Sequence, residues 1–380
     1  MPTDFSPHVR TPDSHAPRAC MPHVPDLRRR LLLCASAVFP ASAVLAFEGP
    51  ELYPGERALY AEAAKEGLVV SFDTGPEWAN WKVLFREFKR RYPEVEMTYN
   101  DLGSAATVVA LEKARRRPQA DTAYYFAASA VDAARKDVVA PFTPVNFDKL
   151  PAVFREPEGR WFTIHTLNIA FLVNTRLVKN IPQGWSDLLK PEYRNSVVYL
   201  DPRSTGVGQV GVIAAAYGNG GSIDNTKPGT DFFGRLHAAG NVLRVEGTTP
   251  YAKFLKGEIP IWISYENDGL KAKFVDGMGD ACAVVIPREA SASAPYAISL
   301  VKGAPNPNAG KLWLNFTMSD MGQNLFAQGF VRPAIPGVSL PAEVRSKMPD
   351  APQLRPLDVI KASARKAEID REWAAAALAR

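Results

Sequence analysis

Residues 68–92 read LVVSFDTGPEWANWKVLFREFKRRY, and this stretch decides the fold. Leu68-Val69-Val70-Ser71-Phe72 is short, apolar and partly β-branched, which predicts a buried strand. Asp73-Thr74-Gly75-Pro76 supplies turn residues. Trp78, Trp81, Leu84, Phe85, Phe88 and Tyr92 then recur at helical spacing, with Lys82, Arg86, Glu87, Lys89 and Arg90 between them. That pattern predicts a helix with one apolar face, stopped by Pro93. Strand, turn and helix in this order form the repeating unit of an α/β fold.

The unit recurs on both sides. A helix from Gly55 to Gly67 precedes it. After it come a strand from Val95 to Tyr99, a loop at Asp101 to Ser104 and a helix running to Arg117. A strand from Asp121 to Phe126 and a helix from Ala127 to Lys136 follow. Such alternation predicts a mostly parallel sheet covered by helices. A second set begins with a strand at Val197 to Leu200 and a helix from Val207 to Tyr217. It continues with helices at Asp231 to Ala239 and Pro250 to Lys256, and strands at Ile259 to Tyr265 and Cys282 to Ile286. Between the sets lies an extended apolar run, Trp161 to Asn174. Beyond them are a strand from Tyr296 to Val301 and helices near Asn308 to Met318 and Asp320 to Ala327. The tail from about Ser339 is rich in Pro, Ala and charge and reads as a surface extension. Two α/β units joined by extended segments predict two lobes with a cleft between them.

At 380 residues, 46% hydrophobic and 22% charged, the chain is long enough for two cores. The net charge of +5 is modest, and the main basic runs, Arg28-Arg29-Arg30 and Arg115-Arg116-Arg117, are short and separate. Nucleic-acid binding is therefore not expected. The first run precedes an apolar stretch, Leu31 to Ala46, ending in Val44-Leu45-Ala46. This is the pattern of a cleaved secretory signal over residues 1–46, with Met21 as an alternative start. Arg28-Arg29 followed by Leu31-Leu32 permits twin-arginine as well as general export. Cys34 follows Leu33 and so lacks a lipoprotein box. Cleavage after Ala46 leaves Cys282 as the one cysteine, so no internal disulfide is expected. No later stretch approaches the ~20 apolar residues of a membrane span. A soluble periplasmic protein follows as the expectation.

In α/β sheets, ligands bind beyond the carboxyl ends of strands. Those ends here carry Asp73-Thr74-Gly75, Gly103-Ser104, Tyr125-Phe126, Ser204-Thr205-Gly206 and Tyr265-Glu266-Asn267. Small hydroxyl and glycine residues at a helix start free backbone N–H groups that suit an anionic or polyhydroxyl group. Helix capping alone explains any one of them; five together point to a shared cleft. Gly206-Val207-Gly208-Gln209-Val210-Gly211 matches the dinucleotide-binding pattern literally. It lies deep in the chain, with Asp201 to Thr205 between it and its strand. An exported nicotinamide-dependent oxidoreductase is the alternative from another functional class. Outside the signal the histidines are His165 and His237, far apart, and no His or Cys-His set has zinc spacing. No G-x-S-x-G elbow is present. Neither an enzyme nor a metal or other cofactor is expected. Of Tyr124 and Tyr125, at most one can face a cleft from a strand. Trp78 and Trp81 read as core of the helical stripe.

The chain resembles the bacterial extracellular solute-binding proteins of ABC importers, in the branch that holds ferric-ion, sugar-phosphate, phosphonate and polyamine binders. The matching residues run from about Gly67 to Pro336. They include Val69 to Tyr92, the Gly103-Ser104 loop, Trp185-Ser186-Asp187-Leu188-Leu189 with Pro191, and Asp201-Pro202-Arg203-Ser204-Thr205-Gly206. Gly257 to Tyr265 and Leu300-Val301-Lys302-Gly303-Ala304-Pro305-Asn306-Pro307 complete the set. The resemblance implies a two-lobe periplasmic binding protein fold of type II-like form, with an interlobe cleft and a hinge. Lobe one is then 47–165 plus 294–337, lobe two 166–293, and 338–380 a C-terminal extension. It implies ligand contacts at Thr74, Gly75, Gly103, Ser104, Tyr125, Thr166, Ser204, Thr205, Gly206, Tyr265, Glu266 and Asn267. It also implies a small-molecule ligand, a membrane permease as partner and a monomeric protein. Ferric binders of this family carry adjacent tyrosines where this chain has Tyr265 followed by Glu266-Asn267-Asp268-Gly269. Ser204-Thr205-Gly206 suits a phosphate, phosphonate or carboxylate, whereas Glu266, Asp268 and aromatic residues suit an amine. A ligand with both groups satisfies both.

Overall fold

The computed structural model describes residues 49–245, 250–348 and 351–378; the expected signal at 1–46 lies outside the described residues. The first half of the chain forms α1 (Glu56–Glu66), β1 (Leu68–Phe72), α2 (Trp81–Arg91), β2 (Glu96–Tyr99), α3 (Ser104–Lys113), β3 (Thr122–Phe126), α4 (Ala127–Arg135) and β4 (Val139–Ala140). A long strand, β5 (Phe162–Asn174), leads into β6 (Val197–Val198), α5 (Gly206–Gly218), α6 (Lys227–Ala238), α7 (Tyr251–Leu255), β7 (Ile261–Tyr265), α8 (Glu266–Phe274) and β8 (Cys282–Val285). The return strand β9 (Ser291–Val301) is followed by α9 (Pro307–Met318), α10 (Asp320–Gln328), β10 (Arg332–Pro333), α11 (Ala342–Lys347), β11 (Leu354–Pro356) and α12 (Val359–Ala377).

The strands run in the order β2-β1-β3-β9-β5-β7-β6. Strand β5 belongs to two sheets. Phe162–Asn168 pair with β9, and Ile169–Asn174 pair with β7 and β8. The expectation of a mostly parallel sheet needs correction. The β1–β2, β1–β3 and β6–β7 pairs are parallel, but β9 runs against β3 and β5, and β5 against β7. These two long strands carry the chain between the halves of the fold, so each enters its sheet against the βαβ direction.

The aromatic stripe of α2 builds the first core. Trp81 meets Phe326 edge-on at 5.2 Å, and Phe88 meets Trp313 at 5.1 Å. Such pairs contribute about 0.5–1.5 kcal/mol each beyond area burial. The helix begins three residues later than the stripe suggests. Ala79 and Asn80 hold positive φ, and the Asn80 amide donates to the Leu325 carbonyl at 2.6 Å. Trp78 is therefore turned out of the helical face.

The C-terminal residues lie on the outside of the fold but are firmly packed. β11 pairs with Ser291–Ser293 of β9. Val359 joins the apolar cluster around α4, while Ile369, Trp373 and Ala377 join the main core. Among the described residues no helix is long and apolar enough to cross a membrane.

Candidate ligand-binding cleft

The carboxyl ends of β1, β2 and β7 open onto one cavity of about 660 Å³. From the first half of the fold, Asp73, Glu77, Trp78, Asp101, Gly103, Ser104 and Tyr296 line it. From the second, Ser204, Thr205, Gly206, Val207, Tyr251, Trp262, Ser264, Tyr265, Asn267 and Asp268 do so.

The first wall is tied together by side chains that bond backbone. Asp73 sits at φ 61° after β1, and its carboxylate accepts the Gly103 N–H at 2.7 Å. Gly103, at φ 83°, needs its missing Cβ to make this turn. The Ser104 hydroxyl accepts the Phe126 N–H at 2.9 Å, joining the start of α3 to the end of β3. Burial raises the Asp73 carboxyl well above the usual range, and the Asp101 charge adds to the shift. Asp101 is also raised by burial, opposed by its bond from the Trp78 indole.

The second wall is built from two helix starts. Thr205 caps α5: its hydroxyl accepts the Gly208 N–H at 3.2 Å and donates to the Asp201 carbonyl at 2.9 Å. The Thr205 amide is itself bonded to Asp201, at 3.1 Å. The donors left at this helix end are thus the first-turn amides of Gly206 and Val207, which have no intrahelical acceptor. A Cβ on Gly206 would lie 2.8 Å from the Tyr296 hydroxyl and 3.0 Å from Phe126 Cβ, so α5 approaches the first half closely here.

At the other start, Tyr265 ends β7 and its hydroxyl shares a 2.9 Å hydrogen bond with that of Tyr296. Burial, reinforced by the facing phenol, holds Tyr265 far above its ordinary range, and burial does the same for Tyr296. Both present neutral hydroxyls. Asp268 accepts from Ser264 at 3.0 Å and from the Asn267 amide nitrogen at 3.2 Å. Burial pushes its carboxyl up to about 6. The Asn267 amide oxygen and the Trp262 indole N–H are buried without a protein partner.

Of the residues expected from sequence, Gly103, Ser104, Ser204, Thr205, Gly206, Tyr265 and Asn267 come together on the wall. The remaining five lie outside it. Thr74 is buried and donates back to Ser71 at 3.1 Å. Gly75 packs between the Trp78 indole and the Asp101 carboxylate. Tyr125 points to the other face of β3, where it donates to Ser299 at 2.6 Å. Thr166 pairs with Arg332 across β5 and β10. Glu266 is buried and bonded to Arg332 at 3.0 Å and to Asn168 at 2.8 Å. Sequence reasoning missed Trp78, Asp101, Tyr251, Trp262 and Tyr296. The N-cap preference of Asn80 is the signal that separates Trp78 from the α2 stripe.

Residues 121–362, from β3 into α12, match the profile of a family described as bacterial extracellular solute-binding protein. An uncharacterised protein of Haemophilus influenzae is 27% identical over 252 residues, 63% of this chain and 70% of its own. A Salmonella typhimurium protein, provisionally named as a 2-aminoethylphosphonate-binding periplasmic protein, is 27% identical over 241 residues. That alignment covers 60% of this chain and 66% of the Salmonella protein, just under two thirds of its length. Among solved structures, the periplasmic binding protein AfuA from Actinobacillus pleuropneumoniae, with fructose-6-phosphate bound, matches with a TM-score of 0.69 at 21% identity. The match covers 83% of this chain and 99% of AfuA, and so the two share the two-lobe fold. Because the profile match runs through both sheets and across the cleft between them, the chain belongs to the bacterial extracellular solute-binding protein family.

Proposed function

We propose that the chain is the periplasmic solute-binding component of an ABC importer. In this reading it captures a small polar solute bearing a phosphate, phosphonate or carboxylate group and delivers it, as a monomer, to a membrane permease. The observation that carries the reading is the start of α5. The Gly206 and Val207 amides stand without intrahelical acceptors at the edge of a cavity walled from both halves of the fold. A helix N-terminus stabilises a desolvated oxyanion there through free N–H donors and a favourable dipole. The names of two relatives support the same chemistry, since 2-aminoethylphosphonate and fructose-6-phosphate both carry a phosphorus oxyanion. Lobe one is taken as 47–165 plus 294–337 and lobe two as 166–293, with β5 and β9 as the connecting strands.

Thermal denaturation of the purified chain, from Phe47 onward, tests the reading against phosphates, phosphonates, carboxylates, spermidine, Fe(III) citrate and NAD(H). A ligand at 100 times its Kd stabilises by about 2.7 kcal/mol, or roughly 5 °C. Stabilisation by a phosphorus oxyanion is expected. Response to spermidine or Fe(III) alone would move the ligand class to the alternatives of the same fold. Tight NAD(H) binding with turnover would replace the binding-protein reading by an oxidoreductase.

A further inference from the structure

The cavity carries a charge pattern that an anion alone does not explain. Its described lining includes the carboxyl groups of Asp73, Glu77, Asp101 and Asp268 and no Lys, Arg or His. Lys271, whose charge acts on Asp268, lies outside the lining, 3.4 Å from Asp276 and over the Tyr251 ring. At the α8 end the local bonds leave one acceptor, the Asn267 amide oxygen, and one donor, the Trp262 indole N–H, without a protein partner. Ser264 and the Asn267 amide nitrogen both donate to Asp268, so Asn267, 5% exposed, is left with its amide oxygen unpaired. The rings of Tyr251, Trp262 and Tyr265 share this end of the lining. A carboxylate, an unpaired carbonyl and aromatic rings together suit a cationic nitrogen, which supplies hydrogen-bond donors and attracts the ring faces.

Resting on the reading of α5 as the oxyanion end, we infer that the solute also carries an ammonium group, seated against Asp268 and Asn267, and that Asp268 selects for it. The solute class is a zwitterion such as an aminoalkyl phosphonate, and phosphate esters without an amine are poor ligands. The deciding experiment is calorimetric titration of the chain with 2-aminoethylphosphonate, ethylphosphonate and fructose-6-phosphate. The expected result is tight binding of 2-aminoethylphosphonate, with ethylphosphonate at least thirtyfold weaker. Asp268→Asn should remove most of that difference, weakening 2-aminoethylphosphonate at least thirtyfold and ethylphosphonate less than threefold. Asn267→Leu, which keeps the carboxylate, should act in the same direction by about tenfold. The melting midpoint of each ligand-free variant checks that it is folded. Equal affinity for the two phosphonates, equal loss of both in Asp268→Asn, or preference for fructose-6-phosphate would overturn the ammonium inference and leave the oxyanion reading standing. Failure of all three to bind would overturn both.

Discussion

Two helices begin at the same cavity, and their first turns have opposite chemistry. Helix α5 starts Gly206-Val207-Gly208, with no acidic residue in its first turn and Thr205 as its cap. Helix α8 starts Glu266-Asn267-Asp268, with two acidic residues in its first turn and no side-chain cap. Both follow a strand of the second sheet, and both carry the partial positive charge of a helix N-terminus. At α5 no acidic side chain of the first turn answers that charge. At α8 the chain's own carboxylates answer it, and one of them, Asp268, reaches the cavity. In the proposed reading the same backbone device serves opposite signs, depending on the side chains of the first turn.

The largest expected effect tests the α5 end. Gly206→Val would drive a branched side chain into Tyr296 and Phe126 and over the free amides. Oxyanion affinity should fall at least a hundredfold, about 2.7 kcal/mol, in calorimetry. A variant that still binds phosphonates normally would show that the anion sits elsewhere.

The two acidic residues of α8 should separate next. Glu266 is paired with Arg332 and Asn168. Removing one partner of such a buried pair costs about 3 kcal/mol, so Glu266→Gln should lower the melting midpoint by several degrees. Asp268→Asn should leave the ligand-free midpoint at neutral pH equal or higher. Its carboxyl is raised by burial, so its ionised form weakens the fold above its unfolded range. That penalty is complete above about pH 6 and disappears as the pH falls toward 4. The reverse order of the two variants would mean that Asp268 is the structural residue.

A pH series sharpens the same point. Protons and a ligand ammonium compete for Asp268, so affinity for 2-aminoethylphosphonate should fall below about pH 6, approaching tenfold per unit. The phosphonate also titrates, and Asp268→Asn provides the control, because the component due to Asp268 should be missing from its profile.

The smallest effect concerns Thr205. Its hydroxyl is engaged by Asp201 and Gly208, so Thr205→Ala loses a helix cap at about 1 kcal/mol. A drop of about 2 °C in melting midpoint with a few-fold change in affinity is expected. A hundredfold loss of affinity with no thermal change would make Thr205 a direct ligand.

The local parts of this fold were legible in the sequence and the long-range parts were not. Strand β1, the end of β7 and the start of α5 announce themselves through apolar runs ended by polar or turn residues, whereas helix α8, directly after β7, does not. These are choices that each segment makes alone. Tyr296 reaches the cavity because β9 runs antiparallel to β3, pairing Tyr296 with Phe126, and no local pattern encodes that. Trp78 was hidden by its spacing, which fits the α2 stripe until the positive φ of Ala79 and Asn80 breaks it. Strand alternation limited Tyr124 and Tyr125 to one cleft-facing ring without saying which. Tyr124 takes the side of Trp78 and Tyr296, 5.2 Å from each, but it is fully buried with its hydroxyl on His165, and neither ring lines the cavity.

The central claim is that one solute spans the two helix starts, oxyanion at α5 and cation at α8. A crystal structure of the protein with 2-aminoethylphosphonate tests it most directly. The account predicts phosphonate oxygens about 3 Å from the Gly206 and Val207 nitrogens, with the ammonium group on Asp268 and Asn267. A phosphonate bound against the Asp73 and Asp101 wall, or an ammonium group directed away from Asp268, would contradict it.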